Sequence, residues 1–111
     1  MDLIEQDVGG VTVLAVKGRV DSTNSADFSS KLGALYATPG RRLLLDLQQL
    51  EYISSAGFRA LLIAARHASQ SGGKLALCGL SGKLRDLFDL GGFLDNFLIQ
   101  PSREEGISKL A

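Results

Sequence analysis

Two short apolar runs constrain this chain most. Arg42-Leu43-Leu44-Leu45-Asp46-Leu47 and Lys74-Leu75-Ala76-Leu77-Cys78 are nearly continuous aliphatic stretches. They are too short for buried helices, and they match central strands covered on both faces. Between them the period changes. Phe58, Leu61, Leu62 and Ala65 recur at i, i+3, i+4 and i+7, the apolar stripe of a helix, and Gly72-Gly73 closes that segment. A chain that alternates buried strands with amphipathic helices builds parallel strands joined by right-handed crossovers.

The flanking segments extend the same pattern. Leu3 to about Asp7 is expected to be extended, Val8-Gly9-Gly10 to turn, and Val11 to Val16 to return as a buried strand, which makes a hairpin. Gly18-Arg19-Val20-Asp21 follows as an expected loop. From Ser22, the residues Phe28, Leu32 and Leu35, with Tyr36 beside them, mark a first helix that Pro39-Gly40 ends. Gln48 to Ser54 is expected to be a loop before the second helix. Ser81 starts a third helix with Leu84, Leu87 and Phe88 inward and Gly91-Gly92 at its end, and Asn96 to Ile99 reads as a last strand. Ser102-Arg103-Glu104-Glu105 has capping-box spacing for a terminal helix. The expected fold is a single α/β domain over residues 1–111, ordered β-β-α-β-α-β-α-β-α. Its sheet is mixed because of the hairpin, and its helices pack mainly on one face.

Sites in such sheets form in the loops at the carboxyl ends of the strands. Two polar loops run from a strand into a helix: Gly18-Arg19-Val20-Asp21-Ser22-Thr23 and Tyr52-Ile53-Ser54-Ser55-Ala56-Gly57. Parallel strands before them place both at one edge. Ser54 and Ser55 stand where a helix begins, so one of them is an N-cap candidate. Capping and phosphorylation are compatible there, because a phosphate at a helix N-terminus meets free N–H groups and the positive end of the dipole. Asp21 is either a turn residue for the first helix or an anchor for a basic group on a partner. Arg59, Ile63, Arg66 and His67 share the outer side of the second helix, which reads as a solvated face or as a binding patch.

Catalytic chemistry finds little support. A serine nucleophile needs a base within about 3 Å, and the single histidine, His67, lies roughly 18 Å from Ser55 along one helix. Gly82-Lys83-Leu84 fails as a phosphate loop, since Leu77 stands where its first glycine belongs and Leu84 where Ser or Thr belongs. One cysteine and one histidine give no metal cluster. Cys78 reads as a small core residue, and Asp46 as a bond to a loop at the strand end. Lys+Arg and Asp+Glu balance at 12 each, so the chain has no long-range pull on nucleic acid or an anionic membrane. No apolar run approaches the roughly 18–20 residues that span a bilayer, the acidic start Met-Asp-Leu-Ile-Glu is unlike a signal peptide, and a lone cysteine suits a reducing compartment. The expected location is cytoplasmic.

Taken in order and spacing, these residues identify a family resemblance. Leu45-Asp46-Leu47, Leu50 and Tyr52-Ile53-Ser54-Ser55-Ala56-Gly57-Phe58-Arg59 form its most specific part; Gly18-Arg19-Val20-Asp21 and the stretch Gly79-Leu80-Ser81 through Arg85-Asp86-Leu87-Phe88-Asp89-Leu90 complete it. From about Leu3 to Leu110 the chain resembles the bacterial anti-sigma factor antagonists built on the STAS domain. The resemblance implies a non-enzymatic partner switch. The unmodified protein binds an anti-sigma factor that is also a serine kinase, phosphorylation releases it, and a serine phosphatase resets it. The family serine falls on Ser55 and the contact aspartate on Asp21. Familiar members carry aspartate where Ser54 stands, which makes Ser54 a competing acceptor. With the neighbouring loop residues and the outer side of the second helix added, the expected contact set is Asp21, Ser22, Ser54, Ser55, Gly57, Arg59 and Ile63. ATP belongs to the kinase, so no cofactor is expected. The alternative is a STAS module in a signalling assembly that does not act on a sigma factor, such as a stressosome-like complex.

Overall fold

The structure, a computed structural model, describes residues 1–90, 92 and 97–111. The chain runs β1 (Asp2–Val8), β2 (Val11–Val20), α1 (Ser25–Leu35), β3 (Arg42–Asp46), β4 (Leu50–Ile53), α2 (Ser55–Gln70), β5 (Lys74–Cys78), α3 (Gly82–Leu90), β6 (Leu98–Gln100) and α4 (Arg103–Leu110). The sheet has the order β1-β2-β3-β5-β6, with β4 paired to β2 off that path. β1 and β2 are antiparallel, and every other pairing is parallel. The hairpin closes at Val8↔Val11 through Gly9 and Gly10, whose φ angles of 58° and 83° are those a two-residue hairpin turn demands.

The central strands are buried on both faces, as their composition requires. Leu43 and Leu45 of β3 enter a large core with Phe28 and Leu32 of α1, Phe58 and Leu61 of α2, and Leu84 and Phe88 of α3. Leu44 points the other way, into a smaller core with Val11, Val13, Ala76, Cys78 and Leu110. Three helices therefore cover one face and α4 covers part of the other. Phe58 and Phe88 meet edge to face at 4.7 Å between centroids, which joins α2 to α3.

The expected boundaries shift at three places. Gly18–Val20 and Leu50–Ile53, both expected as loops, form the parallel β2–β4 pair, with a register shift between Gly18 and Arg19. α1 begins at Ser25 rather than Ser22, because Asp21 to Asn24 fold into a turn. The Asn24 side chain accepts from Asp21 N–H and donates to the Arg19 carbonyl, both at 2.9 Å, so it braces the turn instead of capping the helix. The buried stripe of α2 is also rotated: Phe58 and Leu61 are joined by Ala60, Ala64 and Ala68, while Leu62 and Ala65 are only half-buried. The expected helix stop at Gly91 and strand start at Asn96 lie outside the described residues. Ser102 caps α4: its Oγ accepts from Glu105 N–H at 3.2 Å and donates to Glu105 Oε1 at 3.4 Å.

Candidate functional site

The β2–β4 pair sets the geometry of the candidate site. Its last rung is Val20↔Ile53, so Asp21 and Ser54 leave neighbouring parallel strands side by side. A hydrogen bond of 2.8 Å from Ser54 N–H to the Val20 carbonyl fastens the two chain segments just before they diverge. The two polar loops thus share one edge of the sheet.

The adjacent serines have different environments. Ser54 is the N-cap of α2: its backbone is extended, its Oγ accepts from Gly57 N–H at 3.2 Å, and its carbonyl accepts from Phe58 N–H at 3.0 Å. Ser55 is the first helical residue and is exposed. Its hydroxyl makes no hydrogen bond among the described residues. Ala56 follows, also exposed, whereas Gly57 is buried beneath the helix start. A Cβ on Gly57 would stand 2.5 Å from Ile53 Cγ1 and 2.9 Å from Val20 Cγ1. Gly57, expected among the contact residues, lies inside; it lets α2 sit down on the strand ends that carry the site.

Asp21 is held firmly. Its Oδ1 accepts from Thr23 Oγ1 at 2.6 Å and from Thr23 N–H at 2.9 Å. These bonds, the hydroxyl's first, hold the carboxyl below the usual aspartate range, with a smaller contribution from the Arg19 charge. Ser22 and Thr23 are exposed beside it. Along α2, Arg59, Ile63, Arg66 and His67 are all exposed. No Asp or Glu occurs anywhere in α2, so its outer face is basic and apolar. His67 lies in the last turn, at the far end of α2 from Ser55.

Two features were not anticipated from the residues. The Arg19 guanidinium lies 4.5 Å from the centroid of the Tyr52 ring, at facing positions of the β2–β4 pair. The available signal was the β-forming Tyr52-Ile53, obscured by the polar residues before it. Arg103, at the start of α4, donates from Nε and Nη2 to Asp46 Oδ2 at 3.0 and 2.8 Å, and from Nη1 to Gln6 Oε1 at 2.8 Å. Asp46 Oδ1 also accepts from Gln48 N–H at 3.1 Å, so this strand-end carboxylate bonds a loop, as expected. These groups border an open concavity of about 720 Å³ that Lys17, Gln49 and Leu80 also line.

Among the described residues, no helix is long and apolar enough to cross a membrane. The two polar loops that carry Asp21 and Ser55 leave one edge of a mixed sheet, and the STAS-domain model matches residues 4–106. The chain belongs to the STAS-domain family of anti-sigma factor antagonists. BtrV of Bordetella bronchiseptica, named as an anti-sigma factor antagonist, is 38% identical over 104 residues, which cover 94% of this chain and 90% of BtrV. The crystal structure of an anti-sigma factor antagonist from Mycobacterium paratuberculosis shares the fold with a TM-score of 0.88 at 21% identity, over 98% of this chain and 92% of that one. The Bacillus cell-fate determinant SpoIIAA in its phosphorylated form gives a TM-score of 0.73 at 17% identity, over 99% and 100%.

Proposed function

We propose that this chain is a phosphorylation-switched antagonist that binds a serine-kinase anti-sigma factor while Ser55 is unmodified and releases it once Ser55 carries phosphate. A serine phosphatase returns it to the binding state. The observation that carries the reading is the division of labour at the head of α2: Ser54, which leaves β4 beside Asp21, is engaged as the cap, and Ser55 after it offers an exposed hydroxyl with no hydrogen bond among the described residues. A kinase needs such a hydroxyl. SpoIIAA, which shares the fold, has been solved in both unphosphorylated and phosphorylated forms, which supports the same use of the fold here.

The contact surface in this reading consists of Asp21, Ser22, Ser55, Arg59 and Ile63, with Ser54 and Gly57 beneath it as the cap and the floor. A phosphate adds about −1.5 to −2 charges near pH 7. A partner that seats a carboxylate beside Arg59 would meet that charge head-on. The fold itself tolerates it, because an anion at a helix N-terminus is favoured by the dipole.

The test is incubation with ATP and the host's candidate kinase-type anti-sigma factors, followed by intact mass and peptide mapping. One phosphate on Ser55, absent from Ser55→Ala, is the expected result. Phosphate on Ser54 would move the site by one residue and overturn the assignment. Binding to a candidate without any phosphate transfer would leave an antagonist that is not switched in this way.

A further inference from the structure

We infer that phosphorylation of Ser55 closes an ion pair with Arg59 one turn along α2, so that the modification withdraws a cation from the partner-facing side of the helix as well as adding negative charge. This rests on the reading of Ser55 as the modified serine and deepens it.

The geometry is that of a helix i, i+4 pair. Ser55 and Arg59 lie on one face of α2, and both are exposed. Side chains four residues apart have Cβ atoms roughly 5–6 Å apart. Helical side chains lean toward the N-terminus, so the Arg59 side chain extends toward Ser55. The order is also the favourable one, with the acidic group N-terminal to the basic one. A phosphate offers oxygen acceptors that suit the forked guanidinium better than a point-like ammonium.

Competing partners on either side are few. Arg59 has no carboxylate within salt-bridge distance among the described residues; the two ion pairs there are Lys31–Glu5 and Arg103–Asp46. On the phosphate side, the Gly57 and Phe58 N–H groups are already bonded to Ser54 Oγ and Ser54 O. The first turn therefore leaves only the N–H groups of Ser55 and Ala56 for the phosphate, and Arg59 is the cation within reach on the same helix. Ser54 sits five residues from Arg59, off that face, so the clip selects Ser55.

The consequence is a change in sign along one stripe. Before modification α2 presents Arg59, Ile63, Arg66 and His67 with no acidic residue, which suits an acidic partner surface. After modification the Arg59 end of that stripe becomes an internally paired, net anionic group, and the positive charge that remains lies further along the helix.

The test reads the phosphate directly. Phosphoserine is placed at position 55 by genetic encoding, and its second ionisation, ordinarily near pH 6, is followed by 31P NMR in the wild-type chain, Arg59→Gln and Arg59→Lys. The helix N-terminus and the neighbouring charges of Arg19, Asp21 and Glu51 are common to all three. The wild-type phosphate is expected to hold its second proton about threefold less tightly than in Arg59→Gln, about half a pH unit, with Arg59→Lys between them. Coincident titrations in the wild type and Arg59→Gln would overturn the clip. Arg59 is exposed, so matched thermal midpoints of the unmodified proteins are expected and confirm that folding is intact. Because the phosphate is installed without a kinase, this result stands apart from the kinase assay: absence of phosphate transfer there would defeat the proposed function while leaving the ion pair measurable.

Discussion

Ser54 and Ser55 are the same residue in sequence, but the first turn of α2 makes one structural and the other available. Ser54→Ala removes the cap bond to Gly57 N–H and is expected to cost about 1 kcal/mol, read as a lower urea midpoint, while Ser55 remains a kinase substrate. Ser55→Ala is expected to stay within about 0.5 kcal/mol of the wild type and to take up no phosphate. Ser55→Asp is expected to keep the fold and to weaken partner binding, measured by calorimetric titration. Below them, Gly57→Ala would drive a methyl to within 2.5 Å of Ile53 and 2.9 Å of Val20, both buried. Overpacking of that kind costs about 1–3 kcal/mol, and the variant should melt earlier than Ser55→Ala. The pair of serines was legible as a helix start, but the division between them was not. Which of two serines caps depends on where the preceding backbone stops being a strand, and the end of β4 is fixed by its pairing with Val20, thirty-three residues earlier in the chain.

That pairing is also where local patterning stops being informative at the scale of elements. β3 and β5 are visible as apolar runs because both of their faces are buried. β4 has only four residues, buries just its first and last, Leu50 and Ile53, and among the described residues pairs with the end of β2 alone. Gly18 interrupts β2 at the register shift, so the two partners of one ladder both resemble loops. The turn from Asp21 to Asn24 was similarly hidden, because its bonds run from side chains to backbone rather than along a periodic face. Its integrity should depend on pH. The Asp21 carboxyl titrates below its ordinary value of 3.8. Its stabilisation is therefore complete above that value and is lost as pH falls through the lower folded value. An NMR titration should place the Asp21 midpoint below 3.8 in the wild type, and Thr23→Ala, which deletes the hydroxyl donor, should raise it toward the ordinary value.

At the scale of the whole molecule, the sheet separates two apolar compartments of unequal size, and the smaller depends on α4. Leu110 and Ile107 close it from one side, and Arg103 secures the start of α4 to Asp46 and Gln6. Cys78 is fully buried in that compartment, where burial first and the Asp46 charge second push its thiol up to about 12. A thiol in that state is unreactive, because the thiolate is the nucleophile. Its labelling rate therefore reports how often the compartment opens. At pH 8 a soluble disulfide reagent is expected to react with the native protein slowly and with the urea-unfolded chain at once. Arg103→Gln removes the charged bonds to Asp46, worth about 1.5–3 kcal/mol, and is expected to speed native labelling more than about tenfold by loosening α4. If labelling in Arg103→Gln rises no more than its global stability falls, α4 opens only with the whole domain. If it rises further, α4 detaches on its own. The alkaline side follows from the same group: the folded thiol stays neutral where an unfolded one ionises, near pH 8.5. Its contribution is therefore full below that value and declines as pH climbs from there toward 12. The urea midpoint should fall between pH 8 and pH 10 in the wild type, and fall less in Cys78→Ala.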